Sequence, residues 1–147
     1  AAASGYGAAA AGMADVAACR TDQSSYDGVV RPMVEQMQAI ASPMDESMTA
    51  MGGQAASADM RCGADAMRWE LDRHASVACA STGDMTPNRT EAARHAQAMT
   101  EWADHQRVRS EQMGSMMGMG SGGGGTGTCQ RNADGSYTLS GGGGMMP

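Results

Sequence analysis

The sequence predicts an all-α protein: an antiparallel three-helix bundle, followed by a Gly-rich tail that carries a small β-hairpin. Apolar side chains recur in alternating steps of four and three residues over three long stretches, which is the spacing of one helical face. Capping residues and glycines bound each stretch, and the short connections make consecutive helices antiparallel. A chain of 147 residues fits one domain.

The first predicted helix spans about residues 28–51, after an Asp-Gly pair, with Pro32 in its first turn. Pro43 follows a serine and precedes acidic residues, which is typical of a second helix start and predicts a kink near residue 42. The apolar stripe of this helix consists of Tyr26, Val30, Met33, Met37, Ile40 and Met44.

The second and third helices are predicted at about residues 57–80 and 87–113. Gly83 is expected to adopt the left-handed conformation that ends the second helix, and Thr86 precedes a proline suited to the first turn of the third. The second stripe consists of Met60, Ala64, Met67, Leu71, His74 and Ala78. The third consists of Ala92, His95, Met99, Trp102 and either His105 or Gln106.

The bundle is therefore assigned to residues 23–117, between two segments of different composition. Residues 1–22 are rich in Ala and Gly, and a fourth helix there is the alternative, which the glycines disfavour. Residues 118–147 form the Gly-rich tail. Within it, an Asp-Gly turn between Thr- and Tyr-containing flanks predicts a hairpin at 126–140.

The composition limits both the core and the partners. The chain has no Phe, two Leu and one Ile but 16 Met, so Met and Ala must fill the interior. The net charge is −6 and Lys is absent, which argues against binding to nucleic acid or to an anionic membrane surface. No apolar run is long enough for a membrane span.

The four cysteines predict two disulfides and export to an oxidising compartment. They are widely spaced without a C-x-x-C motif, and the N-terminal AAASGYGAAAAG resembles the flank left by signal cleavage. Cys19 and Cys79 fall at one end of the bundle, and Cys62 and Cys129 at the other, which predicts the pairs Cys19–Cys79 and Cys62–Cys129. A bond between Cys62 and Cys79 is excluded, since they lie roughly 25 Å apart along one helix.

Each histidine follows a glutamate by four residues, in the segments ELDRH, EAARH and EWADH. His74 and His95 lie at nearly equal distances on either side of the loop near residue 84, so antiparallel packing places them in one layer. Counting equal numbers of residues on either side of the first loop, which we call reflection through the loop, adds Met33 or Met37 to that layer. Met99 lies one turn away. These five residues are the predicted metal ligands.

Two imidazoles with thioethers suit Cu(I) better than zinc or hard cations. Glu70 and Glu91 are expected to accept the ring N–H of the histidine that follows each of them and so to orient it. The alternative is a pair of solvated Glu–His contacts, with Arg73 and Arg94 occupying the carboxylates. We expect a binding protein for metal storage, buffering or transfer rather than an enzyme, with a partner protein that the sequence does not identify.

Further soft ligands are predicted where the first loop meets the end of the third helix, where they would capture metal and pass it inward. An ordinary Met-filled bundle end is the alternative. This auxiliary set consists of His105, Met48, Met51, Met60, Met113, Met116 and Met117.

Two other classes of function remain open. A non-covalent haem would also use His or Met axial ligands on facing helices, but the chain has few bulky aliphatic residues to enclose it. A disulfide-stapled surface module with Met as an oxidant sink would need no bound cofactor.

Overall fold

The computed structural model describes residues 2–50, 54–114 and 128–140, and it confirms a helical bundle with a small C-terminal hairpin. No helix in these ranges is both long and apolar enough to cross a bilayer. The elements are α1 (Ala2–Ala11), α2 (Val16–Ala50), α3 (Gln54–Val77), α4 (Thr86–Gly114), β1 (Thr128–Arg131) and β2 (Tyr137–Ser140).

The chain divides into two compact units. The histidine unit comprises Ala1–Val34 and Arg68–Glu101, and the hairpin unit comprises Glu35–Met67 and Trp102–Pro147. Ala and Met supply about half of the buried apolar residues, as the composition predicted. The buried Met and Ala side chains are Met13, Met67, Met85, Met99, Ala10, Ala41, Ala64, Ala66, Ala92 and Ala96.

Helix α1 is the fourth helix, formed despite the glycines that disfavour it. It buries Tyr6 and Ala10 in the histidine unit. Gly7 allows it to approach α4 closely, because a Cβ atom at this position would lie 2.9 Å from the Cβ of Ala96. Here a glycine serves packing between helices, which local helix propensity does not measure.

Helix α2 begins at Val16, well before the predicted start near residue 28. Asp15 caps it, since its Oδ1 accepts the Ala18 N–H at 2.8 Å. The prediction that Gly28 and Pro32 mark the start of this helix is wrong, because both lie inside it, at exposed positions. Burial of apolar residues before and after them outweighs their low local propensity.

The predicted stripe of α2 is wrong at two positions. Met33 and Ile40 are 54% and 59% exposed, whereas Val34 and Ala41 are buried. A helical face accommodates steps of either three or four residues, and from Val30 the sequence offers an apolar side chain at both. Helix α2 also continues through the predicted kink near residue 42 to its end at Ala50.

Helix α3 ends at Val77, three residues earlier than predicted. Cys79, with φ of 59°, adopts the left-handed conformation that was expected of Gly83. The cost of that conformation, roughly 1–2 kcal/mol, is offset by the disulfide that Cys79 forms. Asn88 then fixes the loop before α4, accepting the Ser81 N–H at 3.0 Å and donating to the Ser81 carbonyl at 2.8 Å.

Both predicted disulfides are present. The Cα atoms lie 5.8 Å apart in Cys19–Cys79 and 5.9 Å apart in Cys62–Cys129. The first belongs to the histidine unit and the second to the hairpin unit. Strands β1 and β2 are antiparallel, and Gly135 supplies the positive φ of 90° in the predicted Asp-Gly turn.

Candidate functional site

His74 and His95 lie together in the core of the histidine unit, in the single layer that reflection through the loop predicted. Their rings stack with centroids 4.1 Å apart and planes 12° apart. Both side chains are almost completely buried, so every polar ring atom must find its partner within the protein.

The two histidines exchange their glutamate partners. His74 Nδ1 donates to Glu91 Oε2, and His95 Nδ1 donates to Glu70 Oε2, each at 2.8 Å. The predicted pairing of each histidine with the glutamate of its own helix is wrong. Because α3 and α4 run antiparallel here, a glutamate one turn before its own histidine also reaches the histidine of the neighbouring helix.

Two tyrosines complete the arrangement from the other side of the rings. Tyr6 Oη lies 2.8 Å from His74 Nε2, and Tyr26 Oη lies 2.8 Å from His95 Nε2. An ionised carboxylate only accepts, so each Nδ1 carries the proton and each Nε2 of the neutral ring accepts the phenolic O–H. The tyrosine rings also stack, with centroids 4.3 Å apart.

We call this arrangement the twin relay. One chain of hydrogen bonds runs through Tyr6, His74 and Glu91. The other runs through Tyr26, His95 and Glu70. The two chains lie side by side, with tyrosine stacked on tyrosine and histidine stacked on histidine.

Arginines neutralise the carboxylates at the far end of the relay. Arg73 donates to Glu91 at 2.8 Å, and Arg94 donates to both Glu70 and Glu91. The arginine contacts considered as an alternative to the histidine contacts therefore coexist with them. Glu70 is 2% exposed and Glu91 17% exposed. Each carboxylate has one histidine and at least one arginine as donors, which offsets the cost of withdrawing its charge from water.

Burial shifts the pKa of both tyrosines and of one histidine in the relay. It raises the pKa of Tyr6 to about 12, with the charges of Asp22 and Glu91 contributing, and it also raises the pKa of Tyr26. Burial lowers the pKa of His74, and this effect outweighs the hydrogen bond to Glu91, which acts in the opposite direction. At neutral pH the phenols therefore keep their protons and His74 remains a neutral acceptor.

A shallow depression on the surface, which we call the tyrosine groove, reaches the relay. Its volume is about 300 Å³. Both relay tyrosines form part of its wall, although each is at least nine-tenths buried. A small molecule in the groove would therefore contact the tyrosines without entering the core. The groove is lined by Tyr6, Ala9, Asp22, Ser25, Tyr26 and Val29.

The histidines are poorly placed to share one metal ion. All four ring nitrogens already have protein partners, so a metal at Nε2 would have to displace a tyrosine hydroxyl. Imidazole lone pairs lie in the ring plane, and nearly parallel stacked rings do not direct them at a common point. In the described ranges, no three His, Cys, Asp or Glu side chains converge as ligands. We therefore leave His74 and His95 out of the metal proposal below.

The methionines predicted to join that layer occupy different environments. Met33 is more than half exposed, and Met99 is 2% exposed in the core of the histidine unit. Met37 belongs to the hairpin unit, where it is half-buried.

The third histidine belongs to a separate polar cluster in the hairpin unit. His105, expected at the edge of its stripe, is 1% exposed, and its Nε2 lies 2.5 Å from Asp59 Oδ2. Asp59 also accepts from Arg109 at 2.7 Å and from the Cys129 N–H at 2.6 Å. Burial raises the pKa of Asp59, but these hydrogen bonds lower it by more, so that it lies below its ordinary value of 3.8. This carboxylate and the Cys62–Cys129 disulfide together attach β1 to the helices.

Two of the predicted soft ligands line the same depression in the hairpin unit. Met37 on α2 and Met60 on α3 line one depression of about 340 Å³, which we call the methionine groove. Its other lining residues are Ile40, Ala41, Ala103, Gln106, Arg107 and Ser110. The remaining auxiliary methionines, or their side chains, lie outside the described residues; they are Met48, Met51, Met113, Met116 and Met117.

Sequence reasoning does not identify four residues of these clusters. The apolar stripe includes Tyr26 but indicates no chemical role for it, and Tyr6 lies in a segment whose glycines disfavour a helix. Asp59 and Arg109 carry no local signal, because the contacts of Asp59 come from residues 105, 109 and 129.

Comparison with known proteins gives no further information on the function. No known protein family matches the chain, and no similar curated protein or solved structure was found.

Proposed function

We propose that this chain is an exported, disulfide-stapled binding protein that holds a soft metal ion, Cu(I), for storage, buffering or transfer. The observation that carries the proposal is the methionine groove, where methionines from two different helices line one depression. Thioethers are soft ligands that favour Cu(I) over zinc or hard cations. They also remain uncharged at every pH.

The electrostatic environment of the groove suits a cation. Arg107 lies in its lining, but the guanidinium donates to Asp104 at 2.7 Å and to Glu111 at 2.8 Å, so its positive charge is balanced locally. The chain as a whole carries a net charge of −6.

The distribution of methionine along the sequence also favours the hairpin unit as the place where metal binds. Most of the 16 methionines fall within the two sequence ranges of the hairpin unit, whereas the histidine unit contains only Met13, Met33, Met85 and Met99. The methionines in the ranges of the hairpin unit are Met37, Met44, Met48, Met51, Met60, Met67, Met113, Met116, Met117, Met119, Met145 and Met146.

Competition for Cu(I) against a chromogenic chelator tests the proposal. In the variant Met37→Leu/Met60→Leu the side-chain volume changes little and both thioethers are lost. We expect Cu(I) binding to weaken by at least about tenfold, equivalent to about 1.4 kcal/mol. The matched control, Met33→Leu/Met99→Leu, also removes two predicted ligands, but from the histidine unit, and should bind as the parent does.

Two results would overturn the groove assignment. One is unchanged affinity in the variant that lacks both groove thioethers. The other is a loss of Cu(I) affinity that occurs only in His74→Gln/His95→Gln, which would indicate that the histidines bind the metal. Repeating the titration with Ag(I), which does not cycle between oxidation states under these conditions, separates metal binding from oxidation of methionine.

A further inference from the structure

We propose that the twin relay is a one-electron oxidation site. A small one-electron oxidant of the outer-sphere metal-complex class in the tyrosine groove takes an electron from one tyrosine while the phenolic proton moves to the hydrogen-bonded histidine. This inference is independent of the metal proposal, because the relay lies entirely in the histidine unit and the methionine groove lies in the hairpin unit.

The step balances within one chain of hydrogen bonds. The oxidant gains one electron, the O–H bond of Tyr6 breaks, and a new N–H bond forms at His74 Nε2. The products are a neutral tyrosyl radical, an imidazolium ion and the reduced oxidant. Glu91, at 2.8 Å from Nδ1, stabilises the new positive charge. A one-electron reductant such as ascorbate reverses the step and returns the proton to the phenol oxygen.

The geometry removes the main obstacle to oxidising a buried tyrosine. Burial raises the pKa of Tyr6 to about 12, so loss of the proton to water before oxidation is unfavourable. A cationic phenol formed by loss of the electron alone would be costly in a buried site. A neutral base 2.8 Å from the hydroxyl, itself held by a carboxylate, lets the electron and the proton leave together.

The stacking of the two hydrogen-bonded series, Tyr6–His74–Glu91 and Tyr26–His95–Glu70, limits each protein molecule to one oxidising equivalent at a time. Tyr6 and Tyr26 have centroids 4.3 Å apart, so either ring can be the electron donor to an oxidant in the groove. The histidine rings are 4.1 Å apart, and two imidazolium ions at that distance would repel strongly. We therefore expect one radical per chain in the fast phase of oxidation.

The test uses full-length, metal-free protein with hexachloroiridate(IV) as the oxidant, mixed rapidly and frozen for electron paramagnetic resonance. We expect a tyrosyl radical signal of one spin per chain in the parent protein. Tyr6→Phe/Tyr26→Phe should lose this signal. The control Tyr137→Phe removes the third tyrosine, on β2 in the hairpin unit, and should keep it. Equal radical yield in the double variant and the parent would overturn the proposal.

The histidines are tested by a substitution that preserves a hydrogen-bond acceptor. In His74→Gln/His95→Gln the amide oxygen can accept from the phenol but cannot take its proton, so oxidation should slow by on the order of 10²-fold. An unchanged rate in a variant that retains its helical circular dichroism and both disulfides would contradict the assigned role.

The parent protein alone provides a second measurement that needs no variant to fold. If the base is internal, the rate of tyrosine oxidation is independent of buffer concentration at constant pH and ionic strength, and it slows in D₂O. A rate that rises in proportion to the concentration of buffer base would show that the proton leaves to solvent and would refute the relay.

Discussion

Glu70 offers a direct test of how the buried network stabilises the fold. It is 2% exposed and accepts hydrogen bonds from His95 Nδ1 and from Arg94. In Glu70→Leu, the Arg94 guanidinium, 42% exposed, can turn towards water. Loss of the Arg94–Glu70 ion pair therefore costs less than about 1 kcal/mol. His95 is completely buried, and an N–H stranded there costs roughly 1–3 kcal/mol. Together these terms predict a loss of roughly 3 kcal/mol in the free energy of unfolding.

Glu70→Gln is the matched control, because its amide oxygen can still accept the His95 N–H. The charge is lost and one of the two acceptor oxygens becomes an NH2 group, but Arg94 is partly exposed and can turn towards water, so we expect destabilisation by about 1 kcal/mol. Urea denaturation followed by circular dichroism, with both disulfides intact, measures the two differences through the midpoint at constant slope. If Glu70→Leu is as stable as the parent, apolar packing replaces the network without cost and the reasoning fails.

Two further predictions concern pH and the second disulfide. Burial holds the pKa of His74 below its ordinary value of 6.5, so the unfolded chain binds more protons below that pH. The melting temperature should therefore fall as the pH drops below about 6.5, and His74→Gln should show a smaller fall over the same interval; equal profiles would contradict this role of His74. Cys62→Ser/Cys129→Ser opens a loop with a sequence separation of 67, which predicts a loss of roughly 4 kcal/mol. Calorimetry that finds less than about 1 kcal/mol would show that this disulfide constrains the unfolded chain little.

Much of the fold follows from local patterns in the sequence. The stripes of α3 and α4 are buried at Met67, Leu71, Ala92 and Met99, as periodicity predicts. Reflection through the loop near residue 84 is enough to bring the two central histidines together, because antiparallel helices joined by a short loop have a fixed register.

The rest depends on tertiary contacts that no local pattern encodes. Gly7 weakens α1 as an isolated helix yet allows its close packing against α4. Helix α2 begins at Val16 and continues through Gly28, because burial of its apolar residues outweighs the low helix propensity of glycine. The crossed Glu–His pairs and the tyrosine partners depend on side-chain directions, which spacing along one helix does not fix. The spacing identifies the two histidines and the two glutamates, but neither which glutamate pairs with which histidine nor the tyrosines.

The order of the two disulfides along the chain has a consequence for proteolysis. The bridges interleave, since Cys62 falls between Cys19 and Cys79, and Cys129 lies beyond them all. Any single cut between Cys19 and Cys129 therefore leaves the two pieces joined by at least one covalent bridge. A protease that makes one cut in this region therefore releases no fragment. In an oxidising compartment the protein would have to be cut at least twice, or reduced, before any piece of this region could diffuse away.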